Sequence, residues 1–209
     1  MLIASMNQKS FPNILVVMTQ PDVANQVTTE KQSIVRISDQ ADQTIGYNFL
    51  AIDQLLPELQ FNGVQALSVA DVATLNQALE AAGFTPDLVA DETPHIVVGY
   101  VQECDVHPDS DHMHVTQTQI APDQTVQIVC GAANIAQGQK VIVATVGAVM
   151  PEGKIIWPGQ LRGVQSDGMI CAAREIGVEG APAKGIMVLP DDWEVGQAVT
   201  ADAVAALLK

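Results

Sequence analysis

The stretch VQIVCGAANIAQGQKVIVATV, residues 126–146, decides how the chain is read. Val126, Ile128 and Cys130 fall at alternate positions and share one face of an extended strand. Gly131 to Gly138 is too short for more than an irregular link or one helical turn. Val141-Ile-Val-Ala-Thr-Val146 then resumes as a second strand.

Working outward, the same pattern repeats on both sides. Ile96-Val-Val-Gly-Tyr-Val101 begins an earlier strand, and His114 to Ile120 continues after a turn at Pro108-Asp-Ser-Asp111. Ile155-Ile-Trp157 is expected to start the last strand. Glycines 99, 131, 147, 163 and 168 fall where a small closed barrel needs tight bends. Spacing alone implies a small β-barrel. Five strands with a short insert after the third is the OB-fold order.

Upstream, Asp91-Glu-Thr-Pro94 is a polar break ending in proline, and all four histidines and all three cysteines lie beyond it. Before it, the runs Ile14 to Met18, Ile34 to Ile37 and Ile45 to Phe49 read as short strands. Ser68 then precedes a helical stripe of Val69, Val72, Leu75 and Leu79, with Asp71 in its first turn and Gly83 as its stop. The expected organisation is an α+β domain over 1–92, an all-β OB-fold barrel over 95–194 and a tail over 195–209. The carboxylates scattered through the first domain read as a solvated face and assign it no function.

Of the 209 residues 48% are apolar and 16% charged, which suits a packed core. Aromatics make up only 4%, so aliphatic side chains must fill that core. No apolar run reaches the ~18 residues of a membrane span, and the start lacks a signal-peptide core, so a cytoplasmic protein is expected. Cys104, Cys130 and Cys171 are odd in number and widely spaced, which favours buried reduced thiols over disulfides. Net charge is −15, with neither half basic: residues 1–94 carry 3 basic and 11 acidic side chains, and residues 95–194 carry 5 and 12. This counts against nucleic-acid affinity gained by counterion release from a basic surface.

Six segments follow one another in the second half: His107-Pro-Asp-Ser-Asp111, Ile128-Val-Cys-Gly-Ala132 with Asn134, Gly138-Gln-Lys-Val141, Val146-Gly-Ala-Val-Met-Pro151, Leu161-Arg-Gly163 and Ser166-Asp-Gly-Met-Ile-Cys171. In series they resemble the transfer-RNA-binding domain at the start of the bacterial phenylalanyl-tRNA synthetase β subunit. With an uncharacterised domain in front and little behind, the whole chain resembles the stand-alone YtpR family. The resemblance implies an OB-fold that grips the tRNA elbow by shape, through backbone and 2′-hydroxyl contacts, without catalysis or a cofactor. Its motif positions make His112, Asn134, Arg162 and Ser166 candidate RNA contacts. Lys140, Lys154 and Arg174 join them on charge alone. The family pattern has Lys-Leu where this chain has His112-Met113, so a fixed cation becomes one that is mostly neutral above an unperturbed pKa of about 6.5.

Structural roles compete for several motif residues. Gly131, Gly163 and Gly168 suit bends, Met169 and Cys130 suit core, and Asp111 suits a cap of its own turn. For Arg162 both a phosphate contact and a local salt bridge stand open. His107, His112 and His114 beside Asp105, Asp109 and Asp111 match no zinc or EF-hand spacing, so no metal is expected. No nucleophile–base set, phosphate loop or cofactor motif marks an enzyme. The acidic charge keeps a second reading in play, a protein-interaction module that retained the barrel and lost RNA. A homodimer is also expected, through the apolar strip Ile186-Met-Val-Leu-Pro190.

Overall fold

The structure, a computed structural model, describes residues 1–209 and is mostly β with few helices. It divides into two compact units, Met1–Thr93 and Pro94–Lys209.

The first unit is a six-stranded antiparallel sheet. Its strands are β1 (Ile3–Asn7), β2 (Phe11–Met18), β3 (Val27–Lys31), β4 (Ile34–Ser38), β5 (Thr44–Phe49) and β6 (Gly63–Gln65), in the order β3-β4-β5-β2-β1-β6. A single turn, α1 (Ile52–Leu55), and one longer helix, α2 (Val69–Ala81), supply the α part. Ser68 starts α2 with a capping box: its hydroxyl accepts the Asp71 N–H at 3.1 Å, and the Asp71 carboxylate accepts the Ser68 N–H at 3.1 Å. Val72, Leu75 and Leu79 are buried against Leu15, Val17, Tyr47 and Phe49 of the sheet. Val69, expected on that stripe, is the first residue of α2 and is 59% exposed. The helix end has no basic residue of its own. Lys31, the last residue of β3, supplies one: its ammonium donates to the Gly83 carbonyl at 2.6 Å and lies 4.5 Å from the Phe84 ring centre.

The second unit is built on β7 (Ile96–Val106), β8 (His114–Ala121), β9 (Gln124–Cys130), β10 (Lys140–Thr145) and β13 (Gly168–Cys171), in the OB-like order β13-β10-β7-β8-β9. Between the last two run a hairpin of β11 (Gly159–Leu161) and β12 (Val164–Ser166). The final barrel strand is thus Gly168–Cys171. Of the expected Ile155–Trp157 strand only an isolated bridge from Ile155 to Val149 forms before the chain turns into the hairpin. The expected closed barrel also needs correction, since no ladder joins the two edge strands. Instead the Asp167 N–H donates to the Gln127 carbonyl at 2.8 Å and the Val129 N–H to the Ser166 hydroxyl at 3.1 Å. These bonds tie the edges where a continuous ladder would have closed the sheet.

Strand β10 is buried on both faces. Val141 and Val143 pack into one core with Val97, Val101, Ile128 and Cys130. Ile142 and Ala144 enter another with Val98, Met150, Ile176, Val199 and Val204. Residues 195–209, expected as a tail, supply part of that second core through helix α3 (Ala201–Leu207), whose N-cap Thr200 hydroxyl accepts the Ala203 N–H at 3.3 Å. The strip proposed for dimerisation is used in the same way. Strand β14 (Val188–Leu189) pairs with β10, Leu189 is buried, and Ile186 and Met187 pack on the two cores. Val188 and Pro190 stay exposed, while the rest of the strip is spent on the protein's own cores.

Gly99 lies inside β7, not in a turn, with side chains of both neighbouring strands, β10 and β8, close above it. A Cβ there would sit 2.4 Å from Val143 Cγ2 and 2.9 Å from Thr118 Cγ2. Gly99→Ala should therefore destabilise the second unit by about 1–3 kcal/mol, the usual penalty of overpacking. Urea unfolding of wild type and variant, with unchanged m-values, checks this; an unshifted midpoint would refute the close-approach role.

Candidate RNA-binding surface

The motif segments that are far apart in sequence meet at one rim of the second unit. His107, 2% exposed, accepts the Asp109 N–H at Nδ1 (3.0 Å), so its proton sits on Nε2 and is donated to the Leu161 carbonyl at 3.1 Å. Arg162 closes a second link: its guanidinium donates to the Asp109 carbonyl at 2.8 Å. These two bonds fasten the β11–β12 hairpin to the β7–β8 turn. Within that hairpin Arg162 (φ 45°) and Gly163 (φ 80°) both have positive φ, as a two-residue type I′ turn requires. Of the two alternatives for Arg162, no local salt bridge forms; the side chain stays exposed with one carbonyl as partner.

His112 stands on the same rim. It is exposed, and its Nδ1 lies 2.9 Å from the Asp111 carboxylate. The His112 hydrogen bond, helped by Asp111's own backbone N–H and by the nearby Arg162 charge, holds the Asp111 carboxyl below its ordinary pKa. The rim is thus a mixed patch of cations and carboxylates, and each cation there has an acidic or carbonyl neighbour.

Three other candidates are held by bonds within the protein. Ser166 is 4% exposed, accepting from the Val129 N–H and donating to the Gly168 carbonyl, so it ties the sheet edges together from a buried position. The Asn134 amide pairs in both directions with the Ile186 backbone, each bond 3.0 Å. The Lys140 ammonium donates to the carbonyls of Asp191 and Trp193, each at 2.5 Å, anchoring the segment after β14. Lys154 is exposed in the turn after Met150. Arg174, in the 3₁₀ turn Ala173–Ile176, is partly exposed, 3.9 Å from Glu175 and 3.5 Å from the Pro182 carbonyl.

One cation escaped the sequence reading. Lys184 lines, with Arg174, a groove of about 790 Å³ between the Cys130–Asn134 segment, Met169–Ile170 and Ala183–Ile186. It belongs to no motif, and the count of five basic residues in 95–194 includes it without singling it out. The histidines and aspartates of the β7–β8 region do not converge, since His107 uses both ring nitrogens internally, and no three metal-binding side chains cluster.

The family model described as "Putative tRNA binding domain" matches residues 96–198, and a domain of unknown function matches 21–91. The "Putative tRNA-binding protein YtpR" of Bacillus subtilis (strain 168) is 41% identical over 195 residues, covering 92% of this chain and 96% of that protein. The chain belongs to the YtpR family. The phenylalanine–tRNA ligase β subunit of Oceanobacillus iheyensis is 47% identical over 114 residues, 52% of this chain but 14% of that subunit. A methionyl-tRNA-synthetase-related protein from Pyrococcus horikoshii superposes with a TM-score of 0.38 at 20% identity, over 50% of this chain and 87% of that one. No helix of this YtpR-family chain is long and apolar enough to cross a membrane.

Burial also sets the thiol chemistry of the family member. Desolvation raises the Cys104 and Cys130 thiols and pushes Cys171 up to about 12. Because a raised folded-state pKa stabilises only while the group stays protonated, this contribution is complete below about 9 and fades as pH rises toward about 12. Cys130 and Cys171 should resist alkylation at pH ~8, where the thiolate is the reactive form, and react on unfolding. A thiol titration with and without denaturant decides it; rapid native labelling of Cys171 would refute its burial.

Proposed function

We propose that this chain is a non-catalytic tRNA-binding protein whose second unit recognises RNA by shape, acting in the cytoplasm. The observation that carries this reading is its relationship, over nearly the full length of both chains, to a relative named as tRNA-binding. The His112–Arg162 rim supports it, because there two motif segments are locked together and leave cations at the surface. Exposed Lys154 and partly exposed Arg174 extend the set of available charges. Ser166, Asn134 and Lys140 serve instead by holding the surface in shape. With few cations on a chain of net charge −15, affinity is weak at moderate salt and depends on each remaining contact. A protein-interaction module is the rival reading, favoured by the same acidity.

The test is a titration against bulk tRNA at ~50 and ~200 mM salt. Arg162 has positive φ, so an alanine there would strain the turn as well as remove the charge. Arg162→Asn removes the charge and creates the Asn-Gly pair favoured in such turns. It should weaken binding roughly tenfold, about the weight of one charge-assisted hydrogen bond, and equally for all tRNAs. Wild-type binding should tighten as pH falls from about 7.5 to about 6, where histidines gain charge. Absence of saturable binding at low salt and pH ~6 would leave the protein-interaction reading.

A further inference from the structure

The sequence places five basic residues between 95 and 194, and the structure separates them by what they do. Lys140 holds two carbonyls, Arg162 holds one, and Lys154 stands by itself on the surface. Arg174 and Lys184 differ from these because they line the same groove. Resting on the tRNA-binding reading, we propose that this groove seats a stretch of RNA sugar–phosphate backbone, with Arg174 and Lys184 as its phosphate-binding pair.

Three features support that assignment. First, the size fits: about 790 Å³ lies within the ~300–1,000 Å³ of ligand clefts, enough for a nucleotide-sized segment. Second, its wall is built in advance. The Asn134 amide bonds both to the Ile186 N–H and to its carbonyl, joining the loop after β9 to the segment carrying Lys184. Gly185 (φ 82°) allows that clamp, since a Cβ there would meet Asn134 Oδ1 at 3.0 Å. A cleft whose wall is already fixed loses little entropy when a ligand enters.

Third, the lining suits backbone and not base. No aromatic side chain lines the groove, so no base has a stacking platform. The one side-chain amide, Asn134, commits one N–H and one oxygen lone pair to Ile186, so it is not free to turn and read a base edge in the bidentate way. What remains is an apolar floor (Val129, Met169, Ile170) for ribose, with two cations at its sides. The one acid, Glu175, is partly occupied: one oxygen accepts the Ala172 N–H at 2.7 Å and the other lies 3.9 Å from Arg174. It therefore opposes an incoming phosphate less than a free carboxylate would.

The experiment measures tRNA affinity of the full chain across a salt series for wild type, Lys184→Ala, Arg174→Ala and Lys154→Ala, with thermal melts to confirm equal folding. Loss of either groove cation should weaken binding severalfold, lower the slope of log K against log salt by about 1, and do so by the same factor for different tRNAs. Lys154→Ala should change less than either. If wild type binds and both groove variants match it in affinity and slope, the groove assignment is overturned while tRNA binding stands. If wild type shows no saturable binding, the underlying reading falls and takes the assignment with it. Unequal losses among tRNAs would overturn the backbone-only mode of contact.

Discussion

Burial of β10 on both faces is the constraint on which the second unit depends. A strand flanked by solvent on one side alternates apolar and polar residues, whereas Val141-Ile-Val-Ala144 is apolar throughout and fully buried. Each face must then find its own cover. The inner face is covered by the curled sheet, β7, β8, β9 and β13, and the outer face by the turns after β10, the 3₁₀ segment and α3. Ladders on both sides hold it as well: β7 along one edge, and β13 and β14 sharing the other. The candidate surface hangs from this arrangement, because the groove and the hairpin rim are formed by the segments that leave and re-enter these strands.

Much of this order was legible in the sequence. The alternation in Val126–Cys130 and the apolar run after Gly138 gave β9 and β10 nearly in full, and Ser68 with Gly83 bracketed α2 correctly. Two of the strands that escaped notice had no apolar pattern to read. Val27-Thr-Thr-Glu-Lys31 is exposed at every position and is a strand only because β4 pairs with it, while Gly63–Gln65 is likewise exposed. Such edge strands are set by tertiary pairing and not by their own residues. The last barrel strand was placed too early because Ile155-Ile156 has strand composition, yet Ile156 is drawn into the outer core by bonds from its backbone to Gly147 and Ala148.

For the candidate surface, the sequence located the right segments but could not sort their side chains. Ser166 and Arg162 lie four residues apart in neighbouring motifs; one is buried across a sheet edge and the other projects from a strained turn. That difference arises from where β9 meets the hairpin, a contact between residues nearly forty apart. Lys140 misled for a similar reason. Its charge is visible in the sequence, but its carbonyl partners, Asp191 and Trp193, come from the far side of the outer core. Charge counting identifies cations, whereas long-range backbone geometry decides which of them are free to meet a ligand.

The reliance of β10 on residues as late as Val204 bears on how the protein is made. The first unit has its whole core in hand once Leu88 has emerged from the ribosome, so it can fold while synthesis continues. The second cannot. Its central strand is translated some sixty residues before the helix that covers its outer face, and through that interval Ile142 and Ala144 have no α3 to shield them. The nascent chain therefore carries a sticky, half-covered strand for part of its birth, tethered to a neighbour that has already folded and carries 11 acidic side chains. An acidic folded neighbour repels its counterparts on adjacent nascent chains and so lowers the chance that two such strands meet. The acidity that sets a ceiling on RNA affinity in the finished protein thus has a second consequence, as a solubility device during synthesis.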